Sequence, residues 1–107
     1  MEWTVETLNS AVDEEVEMLP TDMRAKLVRI SNLIESKGLP QVKEPYVKHL
    51  QGKLWEIRVK GRDGIARGIY VTATGRRVVI VRVFIKKNQK TPRTEINLAL
   101  SRAQEVS

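Results

Sequence analysis

Several residue types are absent or scarce, and each absence excludes a class of site. The 107 residues include no cysteine, so disulfides and thiolate metal sites are unavailable. A single histidine, His49, cannot form a histidine-pair metal site, and we expect it to serve packing or the surface. No apolar run is long enough to span a bilayer, and Glu2 and Glu6 stand where a secretory signal would carry cations. We therefore expect one soluble, cytoplasmic domain over residues 1–107, with no metal and no cofactor.

Charge of one sign is missing from two stretches. Residues 1–22 hold seven acids and no Lys or Arg, so residues 23–107 carry nineteen cations against six acids, a net charge of +13. Residues 76–93 hold seven cations and no acid. Such one-sided density is the electrostatic footprint of a protein that binds a polyanion. A solvated basic face without a partner is the alternative that charge alone leaves open.

The first third of the chain predicts a helical hairpin. A short strand at 3–5 precedes one helix that ends near Leu19, where Pro20 stops it, and a second helix that follows Thr21 and is closed by Lys37 and Gly38. Thr7, Asn9 or Ser10 could cap the first helix. Apolar residues at helical spacing give the second helix one inner face, composed of Met23, Leu27, Ile30 and Ile34.

The remainder predicts a sheet and a final helix. Residues 39–53 contain two prolines and a glycine and read mostly as loop. Strands at 54–60, 66–72 and 77–86, joined by short turns, form an antiparallel meander. Thr91 and Pro92 then favour a helix, with the threonine as cap and the proline at the first helical position. The predicted order is β-α-α-β-β-β-α, an α+β fold with an antiparallel sheet and helices on one side.

The alternation of the strands predicts a charged, open sheet face. If the all-apolar sets of the first and third meander strands face the helices, the open face carries Glu56, Arg58, Arg82, Phe84 and Lys86. Cations around an aromatic ring suit RNA, because arginine binds phosphate and a ring stacks on a base. The middle strand is ambiguous, since Arg67 alternates with Ile69 and Val71, whereas Tyr70 points the other way. Trp3 and Trp55 are expected in the core.

Three segments together carry a further signal: Leu54-Trp55-Glu56-Ile57-Arg58, Arg67 with Tyr70, and Phe84-Ile85-Lys86-Lys87-Asn88-Gln89-Lys90-Thr91-Pro92 followed by Glu95-Ile96. They resemble the phage-derived branch of the RelE/HigB toxin superfamily. The resemblance spans nearly the whole chain. It implies a RelE-like, microbial-RNase-like fold and a type II toxin that cleaves messenger RNA in the ribosome. It also implies a small antitoxin partner, usually a helix-turn-helix DNA-binding protein.

Cleavage by attack of a 2′-hydroxyl needs a base, donors for the phosphorane and an acid for the leaving oxygen. The candidate catalytic residues are Arg58, Arg67, Arg82, Lys86, Lys87 and Glu56. Further RNA contacts are expected from Lys60, Tyr70, Phe84, Lys90 and Arg93. The base is open between Lys86 or Lys87, whose pKa a cationic cluster lowers, and Glu56, which could instead pair with Arg58.

The family's C-terminal Tyr or His has no counterpart after Lys87. A non-catalytic module that binds nucleic acid or antitoxin through the same fold therefore remains the alternative function.

Overall fold

A computed structural model gives the fold and describes residues 2–86 and 90–107. Three helices and five strands follow one another in the order β1, α1, α2, β2, β3, β4, β5 and α3. Their bounds are β1 Thr4–Thr7, α1 Ser10–Glu17, α2 Thr21–Lys37, β2 Val47–Gln51, β3 Leu54–Gly61, β4 Gly64–Ala73, β5 Arg77–Lys86 and α3 Arg93–Ala103, with a 3-10 turn at Leu39–Gln41. The predicted α+β class is confirmed. No helix within the described ranges is long and apolar enough to cross a membrane.

The helical hairpin forms as the sequence predicts. The Asn9 side chain caps α1 by accepting a hydrogen bond from the Val12 amide at 3.1 Å. Gly38, with φ near 90°, ends α2, and its amide donates to the Ile34 carbonyl. All four predicted inner residues of α2 are buried, and they pack with α1 against one face of the sheet, the hairpin face.

The sheet has one strand more than predicted and is mixed. Its order is β1-β5-β4-β3-β2, with β1 parallel to β5 and every other pair antiparallel. Strand β2, Val47–Gln51, lies inside the predicted loop at 39–53. Proline and glycine bracket it, and a register shift after His49 interrupts its pairing with β3. A strand this short carries too few alternating residues to stand out from its neighbours.

The third helix lies against the opposite face of the sheet, so the prediction that all helices share one side is wrong. Its residues Ile96, Ala99 and Ala103 form a second core with apolar side chains of β3, β4 and β5, namely Leu54, Ile69, Val71, Val79 and Val81. The strand pattern leads to this wrong prediction because the sheet face that carries α3 is apolar only where the helix covers it and charged beyond it. Helix α3 begins at Arg93, with Pro92 as its N-cap, and the Thr91 side chain makes no capping bond.

A bulge in β5 sorts its side chains between the two faces. Ile69 of β4 faces Arg82, but the next residue, Tyr70, faces Ile80, so Val81 is the extra residue. Val81 lies in the core under α3, whereas Ile80 and Val83 both face the helical hairpin. Because of the bulge, the apolar first part of β5 and its charged end, from Arg82 to Lys86, both place side chains on the sheet face that carries α3.

Candidate functional site

The half of the second sheet face beyond α3 is charged. Strand register places Arg58 beside Arg67 and Arg67 beside Phe84, and in the next row Lys60 and Lys86 flank Ile65. We call this surface the basic half-face and define it by Glu56, Arg58, Lys60, Arg67, Phe84 and Lys86. The face that was predicted to be open thus carries the side chains predicted for it, although Glu56, Arg67 and Lys86 are buried within it.

The structure removes the ambiguity of β4. Arg67 shares a face with Ile69 and Val71, but those two lie under α3 and Arg67 lies beyond its end. Tyr70 alternates with Arg67 and therefore lies in the core beneath the helical hairpin, 1% exposed. Burial raises the pKa of its hydroxyl. The prediction that Tyr70 contacts RNA is accordingly wrong, because its ring does not reach the basic half-face.

A buried ion pair joins β3 to β4. The Nη1 atom of Arg67 lies 2.7 Å from Oε1 and 2.8 Å from Oε2 of Glu56, and both side chains are almost fully buried. The sequence leaves Arg58 as a possible ion-pair partner of Glu56, whereas the structure pairs Glu56 with Arg67. The two residues are on adjacent strands and two residues apart in register, since Glu56 faces Ile69, and this diagonal position brings an acid and a cation into contact across the sheet.

Lys86 is the second buried cation of the basic half-face. Its side chain is 5% exposed, and its Nζ has no hydrogen-bond partner within residues 2–86 and 90–107. Burial, followed by the charges of Arg67 and Arg58, lowers the pKa of this amine to about 8 against the opposing effect of Glu56. Two buried cations and one carboxylate leave a site that a bound anion would complete.

Arg82 is held by two carboxylates at the edge of this region. Its guanidinium contacts Glu95 of α3 at 2.6 Å and 3.1 Å and Glu15 of α1 at 2.9 Å. The hydrogen bonds that Arg82 donates to Glu95 raise the pKa of Arg82. Glu15 also accepts from Arg102 of α3 at 2.8 Å. Arg82 therefore anchors α3, and its charge is already compensated.

The anchoring role of Glu15 is absent from the sequence-based predictions. Asp13, Glu14 and Glu17 on the same helix are exposed. Only Glu15 turns inward, where its carboxylate also accepts a hydrogen bond from the Val83 amide at 3.0 Å. Nothing in the local sequence distinguishes Glu15 from its neighbouring acids, because the two cations that its carboxylate binds, Arg82 and Arg102, lie about 70 to 90 residues away in sequence.

The other candidate side chains lie around these. Lys60, Lys90 and Arg93 are exposed, and the Arg93 guanidinium donates to the Gln51 amide oxygen at 2.9 Å. Phe84 is half-buried, and the Arg82 guanidinium lies 5.8 Å from its ring centre. Lys87, a predicted catalytic residue, lies outside the described residues.

Two aromatic residues differ from expectation in position. Trp55 is 39% exposed instead of buried, and Trp3 is half-buried against the core beneath the hairpin. His49 lies in β2, not in a loop, and its ring centre is 4.9 Å from that of Trp55. Among the described residues, no three His, Asp or Glu side chains are grouped to hold a metal ion.

The buried ion pair makes a prediction about stability. Removing one partner leaves an uncompensated buried charge, so Glu56→Ala or Arg67→Met should lower the free energy of unfolding by roughly 3–5 kcal/mol. The double variant Glu56→Met/Arg67→Met buries no charge at that position and should recover much of the loss. Urea unfolding of the three variants measures this. Additive losses in the double variant would show that the two side chains do not depend on each other.

Comparison with known proteins agrees with this architecture. Residues 14–104 match the family of phage-derived Gp49-like proteins. No curated protein sequence is significantly similar to the chain. Among solved structures, a double arginine-to-alanine mutant of the E. coli toxin RelE in the free state superposes with a TM-score of 0.64 at 18% identity, over 95% of this chain and 98% of that one. The chain therefore belongs to the phage-derived Gp49-like family and has the RelE fold.

Proposed function

We propose that this protein is the toxin of a type II toxin–antitoxin system and inhibits translation by cleaving messenger RNA on the ribosome. The observation that carries the proposal is the buried Lys86 ammonium, which has no hydrogen-bond partner in the described part of the chain and lies near the Arg67 and Arg58 charges. Buried charges are normally paired, so this position favours an incoming anion such as a phosphodiester. The RelE fold and the family support the same assignment.

The phosphorane is the part of the reaction that the basic half-face suits best. In-line attack of a 2′-hydroxyl places additional negative charge on the phosphate oxygens, and preorganised cations stabilise that charge most in a water-poor site. Arg58 is half-exposed and makes no described ion pair, so its guanidinium is available to an RNA backbone. The buried Arg67 adds its positive charge from within the basic half-face, and its hydrogen bonds to Glu56 fix its orientation. Arg82 acts through α3, since two carboxylates already hold it.

Lys86 is also the better base of the two types considered. A group accepts a proton most effectively when its pKa lies near the working pH, and burial brings the pKa of Lys86 to about 8. Both oxygens of Glu56 are engaged by Arg67, so proton transfer to Glu56 would weaken a buried ion pair. Lys87 stays a prediction as base or donor. Lys60, Lys90 and Arg93 are exposed and suit contacts with flanking phosphates, and the half-buried Phe84 suits stacking on a base.

The proposed setting is the cytoplasm, where the ribosome and messenger RNA are the partners of the toxin and an antitoxin restrains it. An antitoxin of the helix-turn-helix type would carry acidic or extended segments suited to a chain with a net charge of +6. No cofactor or metal enters the mechanism, because the ribose supplies the nucleophile and side chains supply proton transfer and charge stabilisation.

Substitution of the basic half-face should abolish cleavage without unfolding the protein. Removing one donor from a preorganised site typically lowers the rate by about 10²–10³. We expect Arg58→Ala and Lys86→Met to reduce cleavage of ribosome-bound mRNA by about that factor and to release the growth arrest that induction causes. Primer extension on mRNA from purified translation reactions locates and quantifies the new ends.

The matched controls lie on the helical hairpin. Arg24→Ala and Lys37→Met remove the same charges from α2 and should leave cleavage at the wild-type rate. If wild type and all four variants arrest growth equally and no new RNA ends form, the protein is a non-catalytic binding module on the same fold.

The pH dependence of cleavage separates the two possible roles of Lys86. As base, Lys86 must be neutral, so kcat/KM, which reports the pKa of the free protein, should rise with pH with an apparent pKa of about 8 and level off above it. The Lys86→Met variant should lose that inflection. A rate that falls through the same range would mean that the charged ammonium is required, and an unchanged inflection in Lys86→Met would assign it to another group.

A further inference from the structure

A second basic surface lies on the other side of β3, between that strand and α2. It is a groove of about 300 Å³ lined by Lys26, Arg29, Ile30, Leu33, Tyr46, Arg58, Val59 and Lys60. Half of these residues are cations and none is an acid. The proposed cleavage reaction uses only Arg58 and Lys60 from this set, so the groove needs a separate explanation.

The cations of the groove are arranged along two walls. Arg29 projects from α2 and is exposed, and the Lys26 ammonium donates to the Lys60 carbonyl at 2.6 Å, which ties the helix to the strand. Positive groups that converge on an acid-free groove repel one another, and a polyanion relieves that repulsion. The apolar floor, Ile30 with Val59, is buried and offers no competing hydrogen bonds.

An exposed aromatic ring completes the groove. Tyr46 is 48% exposed, among the most exposed large apolar side chains of the described chain. Its backbone is fixed at both ends, because its amide donates to the Lys43 carbonyl at 3.0 Å and its carbonyl accepts from the Arg58 amide at 2.8 Å. A ring held in place beside cations is the arrangement with which proteins bind a single-stranded base together with its phosphates.

The groove is continuous with the basic half-face around the edge of the sheet. Strand β2 pairs with β3 only as far as Ile57, so the end of β3 from Val59 to Gly61 pairs with β4 alone. Arg58 belongs to the basic half-face and also lines the groove. A strand of RNA that crosses the basic half-face at Arg58 can pass this free edge and enter the groove without leaving positive surface.

We propose that this groove binds a base and the adjoining phosphates of the same RNA strand that occupies the basic half-face, with Tyr46 as the stacking ring. The inference rests on the proposed function for the identity of the strand. It extends that function by assigning Lys26, Arg29 and Tyr46 to recognition of nucleotides away from the cleaved bond. A single strand is favoured over a duplex, because bases buried in a duplex cannot stack on a side chain.

Binding of a non-cleavable, fully 2′-O-methylated single-stranded RNA, followed by fluorescence anisotropy, tests the inference independently of catalysis. Tyr46→Ala should weaken binding by about 10-fold, the effect of losing one stacked base, whereas Tyr46→Phe keeps the ring and should bind like wild type. The double variant Lys26→Gln/Arg29→Gln should reduce the slope of log affinity against log salt by about 1.4, equivalent to two phosphate contacts. Lys37→Gln/Lys53→Gln removes two exposed charges elsewhere and should keep the wild-type slope.

Three results would overturn the inference. One is wild-type affinity for Tyr46→Ala, and another is an equal loss in Tyr46→Phe, which would assign the effect to the hydroxyl. The third is that the groove variants bind the single strand like wild type but bind a ribosomal RNA duplex more weakly, which would make the groove a site for structured RNA. In each case cleavage that still depends on Arg58 and Lys86 would leave the proposed function standing. If the groove variants behave as expected while the wild-type protein forms no new RNA ends on the ribosome, the proposed function fails instead.

Discussion

The buried ion pair between Glu56 and Arg67 is the interaction on which the rest of the candidate site depends. It supplies the one carboxylate of the buried cluster, and both of its oxygens accept from Arg67. Lys86 is therefore left without an acidic hydrogen-bond partner, although Glu56 still acts on its charge. A pair of this kind contributes little net stability, because desolvation of both ions offsets their attraction. Its consequence here is positional, since it fixes Arg67 in the middle of the sheet.

The Glu56–Arg67 pair lies on a sheet face that is divided into two halves. Helix α3 covers the apolar half, and the charged half begins where α3 begins. Arg82 joins the two halves by binding Glu95 on α3 and Glu15 on α1, and Arg102 adds a second bond from α3 to Glu15. The bulge at Val81 makes this possible, since it turns Arg82 toward α3 while Ile80 and Val83 stay in the core beneath the hairpin. The position of α3 is thus linked to the end of β5, where Lys86 lies.

Sequence patterns predicted the elements better than their arrangement. The inner face of α2 depends on residues within a few positions of one another, and it is confirmed. The cap of α1 is Asn9, one of the three candidates that the sequence offers. Strand β2 and the placement of α3 depend on long-range packing, and both differ from the prediction. The period-two pattern of β4 left the position of Arg67 ambiguous, because the sequence does not show that α3 covers Ile69 and Val71 on the face that also carries Arg67.

For the candidate site as well, the sequence predicted local features better than long-range ones. Sequence alternation placed Glu56, Arg58, Phe84 and Lys86 on one face, and the structure places them there. Burial, however, is a property of the assembled sheet, so neither the pairing of Glu56 with Arg67 nor the uncompensated Lys86 was visible in the sequence. The Tyr46 groove was missed for a related reason, because its residues come from α2, β3 and the segment before β2.

Burial and neighbouring cations leave Lys86 with an amine whose pKa lies near neutral pH. Selective isotope labelling of lysine, with the Lys86 resonance assigned by its loss in Lys86→Met, allows this amine to be titrated directly by NMR. We expect a midpoint of about 8, well below the roughly 10.4 of an unperturbed lysine. Binding of a non-cleavable RNA should raise the midpoint, because a phosphate favours the charged amine. A midpoint near the unperturbed value in the free protein, with no response to RNA, would show that Lys86 is neither perturbed nor in contact with the phosphate.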